Sequence, residues 1–184
     1  MSKKTSVALT VGALFFVLLF TVFSFLRCSS SGKIEDFDPL RDTEGIMKNF
    51  NEDWYWLIAE EIKFDVPYML ETRSPNNFEP QYYGKLIIKV IREHGKAVAF
   101  TTYHLISPEV GRIQFVSVAR AARGKRYGEK LTDHATRDLF NRGCKEVILS
   151  TRVNNGPARR IYERYGFKIT GSSDRFVYYS FKKS

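Results

Sequence analysis

The stretch from Arg112 to Phe167 constrains this chain most, because it fixes both a set of elements and the punctuation between them. A β-rich run at residues 112–118 leads to the basic turn Arg123-Gly-Lys-Arg-Tyr-Gly128, then to an amphipathic helix expected over residues 127–142. Gly143 ends that helix and a second β-rich run follows at 146–151. Asn155-Gly-Pro then opens a helix over 158–165 that closes on Gly166-Phe167.

The flanks decide what surrounds this unit. Residues 85–92 and 96–105 are β-rich runs joined at Glu93-His-Gly-Lys96, a hairpin with glycine where positive φ is wanted. Two last strands, 167–170 and 175–181, are separated by Gly171-Ser-Ser-Asp174. Upstream, residues 34–38 suit an edge strand ending at Pro39. Asp42-Thr-Glu44 gives an N-cap and acidic first turn for one long amphipathic helix carrying Ile46, Met47, Phe50, Trp54, Leu57, Ile58 and Ile62. Between residues 64 and 83, Pro67, Pro75, Pro80 and Asn76-Asn77 indicate loop with one helical turn at 68–71. Hairpins first and helices later argue an α+β fold: a mixed, mostly antiparallel central sheet with flanking helices.

Residues 7–26 carry no charged side chain and are long enough as a helix to cross a hydrocarbon layer about 30 Å thick. A secretory signal has a shorter apolar core, roughly 7–15 residues, and a small-x-small cleavage site, whereas Phe25-Leu26-Arg27-Cys28 offers none. The expectation is therefore one uncleaved N-terminal transmembrane helix. Residues 1–32 form anchor and linker, through Ser29-Ser-Ser-Gly32, and residues 33–184 form one domain. Lys3 and Lys4 nearly balance Arg27, Lys33 and Arg41, so flanking charge does not orient the span. Cys28 and Cys144 are expected to be reduced thiols.

The formal charge of +9 attracts polyanions. A helix N-terminus presents N–H groups without intrahelical partners and the positive end of the peptide dipoles, which suits phosphate. The basic turn occupies such a terminus. Gly124 and Gly128 permit close approach, and Arg120, Arg123, Lys125, Arg126 and Lys130 add charge. A solvated surface turn would carry the same residues. The turn is neither a Walker A loop nor the dinucleotide glycine fingerprint. Positive charge clusters at this turn, with Arg159 and Arg160 nearby, instead of interleaving with aromatics, which argues against nucleic-acid binding. Ala158, Ile161, Tyr162 and Tyr165 make an inward helical stripe, so Tyr162 by itself suits a core aromatic and Asn155 a helix start.

Taken together, the strand at 113–118, the turn Arg123 to Gly128, and Asn155-x-x-Ala158-x-x-x-Tyr162-x-x-x-Gly166-Phe167 resemble the GNAT superfamily of N-acetyltransferases. The resemblance covers about residues 33–183, and its specific part is 112–167. Arg123 and Gly128 match the ends of the superfamily's Gln/Arg-x-x-Gly-x-Gly/Ala signature, and Arg126 stands where its central glycine falls. What the resemblance implies is the acyl-CoA N-acyltransferase fold and transfer of an acetyl group from acetyl-CoA to an amine, without a metal. It implies that backbone groups of Val116 and Val118 pair with the pantetheine arm. Arg123, Gly124, Lys125, Arg126, Tyr127 and Gly128 would hold the pyrophosphate, Asn155 would contact the cofactor, and Tyr162 would protonate the departing thiolate. No carboxylate lies in 113–118, so Glu109 and His104 are the candidates for accepting the amine's proton. Tyr82, Tyr83 and the loop at 64–84 are candidates to shape the acceptor pocket. The expected protein is a single-pass membrane enzyme whose domain faces the cytoplasm, where acetyl-CoA is found. The alternative is a catalytically silent CoA-binding module of the same fold.

Overall fold

The computed structural model describes residues 32–59, 63–74 and 83–183. The apolar run 7–26, Cys28, the expected helix end at 60–62, and Pro75, Pro80 and Tyr82 lie outside the described residues. Among the described residues no helix is long and apolar enough to cross a membrane. The elements follow in the order β1 (Ile34–Asp36), α1 (Pro39–Leu57), α2 (Val66–Thr72), β2 (Tyr83–Glu93), β3 (Lys96–Leu105), β4 (Val110–Val118), a 3₁₀ turn (Arg120–Ala122), α3 (Tyr127–Asn141), β5 (Glu146–Arg152), α4 (Gly156–Tyr165), β6 (Lys168–Ser172) and β7 (Phe176–Lys182).

These strands form one sheet in the order β1-β2-β3-β4-β5-β7-β6. Every neighbouring pair is antiparallel except β4 and β5, which run parallel. The β2–β3 hairpin turns through His94 and Gly95, with φ of 52° and 77°, the paired positive values that match strand twist. Helices cover both faces of the sheet. Phe100 of β3 packs on Phe50 of α1 with ring centroids 5.4 Å apart, whereas the adjacent Ala99 clusters with Tyr127 and Leu131 of α3. Phe50 also meets Phe115 and Phe64, at 5.2 and 6.3 Å, so truncating it to Ala would cost about 3–5 kcal/mol. Cys144 is buried, which raises its thiol pKa.

α1 starts earlier than Asp42. Asp38 is its N-cap, accepting from the Leu40 N–H at 3.0 Å, with Pro39 preset for the first turn. Asp42 is fully buried instead, bound by Arg92 Nε at 2.7 Å, while Glu35 lies 3.0 Å from the same guanidinium. This network joins β1, α1 and β2. Removing one partner of such a buried pair costs about 3–5 kcal/mol. α2 is longer than the single turn expected, because Asp65 caps it by accepting from the Tyr68 N–H at 2.9 Å.

Candidate active site

β4 and β5 pair only at one end, Val110–Arg112 against Glu146–Ile148, and β5 continues to Arg152 on β7 alone. A bulge explains the parting. Tyr103 pairs with Ile113 and Thr102 with Phe115, so Gln114 is an extra residue that bends β4 and switches its facing pattern. Ile113 accordingly lies in the α3-side cluster and Phe115 in the α1-side cluster. Beyond the bulge, the Ala119 N–H donates to Val98 O across the β3 ladder at 2.8 Å. Strand alternation therefore turns the N–H and C=O of Val116 and Val118 toward β5, into a seam where no described strand receives them, and the Val118 C=O accepts from Arg123 Nε at 3.1 Å. An extended amide chain would fit this edge.

The open end of the seam meets the basic turn. Gly124 has φ +83° and Arg126 has φ 61° in the left-handed region. Arg126 thus takes the conformation that glycine adopts most easily, at the signature position where glycine is expected. It is the N-cap of α3, and its side chain makes no capping hydrogen bond. The N–H groups of the first α3 turn consequently have no intrahelical acceptor, an arrangement that suits a diphosphate. The basic side chains differ from the expectation of open positive charge, because carboxylates hold four of them. Arg123 Nη2 donates to Asp53 Oδ2, Arg120 Nε lies 3.6 Å from Asp53, Lys125 Nζ lies 2.7 Å from Glu93, and Arg126 Nη2 lies 2.6 Å from Glu129. Lys125, then the Tyr127 hydroxyl, hold the Glu93 carboxyl below its usual range. The Tyr127 side chain is buried on Glu93, its hydroxyl donating at 2.6 Å, so only its backbone faces the turn.

α4 brings the remaining sequence-predicted residues. Asn155 is its N-cap, accepting from the Ala158 N–H through Oδ1 at 3.3 Å. Tyr162 is buried against Phe167 and Tyr179, with ring centroids 6.1 and 5.9 Å away. Burial, with Tyr179 a smaller contributor, pushes its phenol up to about 12. Strand, turn and helix converge at Gly128: a Cβ there would lie 3.2 Å from Ile161 Cδ1 and 4.0 Å from Val118 Cγ2. Arg164 of α4 reaches Glu129 of α3 at 3.0 Å.

Residues 45–167 match the acetyltransferase (GNAT) family. The chain belongs to the GNAT acetyltransferase family. It is 27% identical over 159 residues to a mycothiol acetyltransferase of Saccharomonospora viridis, covering 82% of this chain and 50% of that protein. The chain thus spans about half the length of this relative. Among solved structures, the ribosomal-protein-alanine N-acetyltransferase of Brucella melitensis superposes with a TM-score of 0.65 at 16% identity, over 82% of this chain and 99% of that one. A streptothricin acetyltransferase from Bacillus anthracis, solved in complex with acetyl coenzyme A, gives 0.50 at 22% identity, over 56% of this chain and 67% of that one.

In this GNAT domain α1 also reaches the site, a role not assigned to it from the sequence. Its helical geometry breaks at Asp53 (φ −124°, ψ 22°). Arg120 Nη2 donates to Glu52 O at 2.8 Å on the β4 side. On the β5 side, Arg152 donates to Tyr55 O and, at 3.0 Å, to Ile58 O, with its guanidinium 3.9 Å from the Tyr55 ring centroid. The second half of α1 is therefore strapped across the open end of the seam. Asp53 had a readable signal: it follows Phe50 by three residues on the apolar stripe, an acid where a hydrophobe is expected.

The two candidate proton acceptors sit elsewhere. Glu109 is exposed at the closed end of the seam and paired with Lys145. His104 is buried in β3, where burial and then the Arg112 charge push its imidazole down to about 4. Thr102 Oγ1 and Ser117 Oγ are buried without a hydrogen-bond partner among the described residues. They share the α1 side of the sheet with Phe115 and Phe100, their cross-strand neighbours. Among the described residues no group of His, Cys, Asp and Glu is placed to hold a metal ion.

Proposed function

We propose that this protein transfers an acetyl group from acetyl-CoA to a primary amine, with Tyr162 as the acid that protonates the departing sulfur. The observation that carries this reading is the convergence of a parted β4–β5 seam, an uncapped α3 N-terminus and a buried tyrosine. Acetyl-CoA, when bound, supplies a thioester carbonyl open to attack by a neutral amine. The Val116 edge and the Val118 N–H pair with its amide arm, and the N–H groups after Arg126 balance its diphosphate. Buried as it is, Tyr162 keeps its proton throughout the neutral range and gives it to the sulfur as the carbon–sulfur bond breaks. The amine's proton leaves to water, since Glu109 is tied to Lys145 at the closed end and a group with the His104 pKa of about 4 is a weak base.

The apolar run 7–26 supports a single-pass anchor, with the domain in the cytoplasm beside the acetyl-CoA pool. Incubating the full chain with acetyl-CoA and a panel of primary amines is expected to release free thiol with at least one of them. Binding of coenzyme A without thiol release for any amine would leave the silent CoA-binding module standing instead. Protease treatment of intact cells is expected to spare a C-terminal tag; its removal from outside would overturn the cytoplasmic placement.

A further inference from the structure

We infer that Asp53 is a positioning residue for the donor site: its carboxylate fixes the basic turn through Arg123 and ties that turn to the segment of α1 lying across the seam. The inference rests on the reading of that turn as the holder of the coenzyme's diphosphate. A carboxylate beside an anion site is electrostatically unfavourable, so its place there needs a reason.

The geometry supplies one. The Asp53 side chain is only 7% exposed, and the break in α1 at this residue aims it at the turn. Arg123 uses both arms of its guanidinium: Nη2 donates to Asp53 Oδ2 and Nε donates to Val118 O at 3.1 Å. One side chain thereby joins α1, the last residue of β4 and the start of the turn. A planar fork does this where a lysine would not. Arg120 lies 3.6 Å from the other Asp53 oxygen, so two cations face one carboxylate and the turn keeps a net positive charge. The backbone itself holds the approach to Gly124 by two short-range bonds, Ala122 N–H to Ala119 O at 2.8 Å and Arg123 N–H to Arg120 O at 3.3 Å. Asp53 adds the lateral tether. Because Arg152 grips the same stretch of α1 from β5, a displacement of the turn is passed to the face of the seam opposite α3 and α4.

Isothermal titration of the full chain with coenzyme A tests this. Wild type must bind; a wild type that does not bind refutes the reading of the turn and not the role of Asp53. Asp53→Asn is expected to weaken binding about tenfold, the scale of one lost charge-assisted contact. Asp53→Glu should regain most of that affinity. In an Arg123→Gln background, Asp53→Asn should add less than about twofold, because its effect runs through Arg123. Arg123→Lys, which keeps the charge and loses the fork, should also weaken binding, and it carries the test if Asp53→Asn fails to fold. Undiminished or tighter binding by Asp53→Asn, unchanged binding by Arg123→Lys, or penalties that multiply in the double variant would each overturn the inference.

Discussion

The start of α3 packs against the second half of α4, and the two helices begin differently. α4 opens on Asn155, whose side chain caps the Ala158 N–H, and α1 and α2 are capped in the same manner by Asp38 and Asp65. α3 opens on Arg126 in the left-handed region with no side-chain cap. A capping side chain is worth about 1 kcal/mol, so α3 forgoes stability that the other described helices take. The difference separates two duties. A capped helix end serves the fold, whereas an uncapped one keeps N–H groups for a ligand that brings its own negative charge. α4, secured at its start, can instead hold a side chain in place, and Tyr162 is that side chain.

The largest test of this division is Tyr162→Phe. It should lower kcat about a hundredfold or more while changing the coenzyme A dissociation constant by less than about threefold, measured by thiol release and titration calorimetry. A comparable loss in both would mean that α4 grips the donor as α3 does. The same residue sets a pH signature. Its folded pKa of about 12 lies above the ordinary phenol value, so its contribution to stability is complete below pH 10 and is lost as pH rises through 12. That contribution is roughly 2–3 kcal/mol. Denaturant titrations between pH 10 and 12 should therefore show a shallower loss of stability in Tyr162→Phe than in wild type.

Next in size is Gly124→Asp, aimed at the other side of the comparison. A Cβ at Gly124 meets nothing within 4 Å, and aspartate tolerates a positive φ better than most residues. The fold should survive with a melting temperature within a few degrees, while a carboxylate at the mouth of the turn weakens coenzyme A binding about tenfold or more. An unchanged affinity would mean that the α3 terminus is not where the diphosphate lies.

Much of this arrangement was legible in the sequence, and the boundary of legibility is physical. The extents of α3 and α4 follow from Gly143, Asn155 and Gly166, each of which acts on its own few residues. The hairpin at His94-Gly95 is local in the same sense. Asp42 looked like a cap because acidic residues near a helix start usually are; its true partner, Arg92, is fifty residues away and invisible to any window. The parting of β4 from β5 depends on a bulge at Gln114, whose residue type carries no turn signal. Pairing of the turn's cations depends on Asp53, Glu93 and Glu129, two of which come from other elements. The turn thus looked more positive in sequence than it is in space, and the backbone N–H groups gain importance accordingly.

The smallest effect separates the two roles open to Asn155. Its Oδ1 is committed to the Ala158 N–H, which leaves the amide NH₂ as the part able to donate to a ligand. Asn155→Ala removes both and should cost about 1 kcal/mol of stability, read by chemical denaturation. Asn155→Asp keeps the capping oxygen and removes the donor, so stability should hold within about 0.5 kcal/mol. If the amide touches the coenzyme, Asn155→Asp will still weaken coenzyme A binding, by about threefold to tenfold for one hydrogen bond replaced by a like charge near phosphate. If Asn155 only caps, affinity will stay at the wild-type value, and α4 will be tied to the donor through Tyr162 alone.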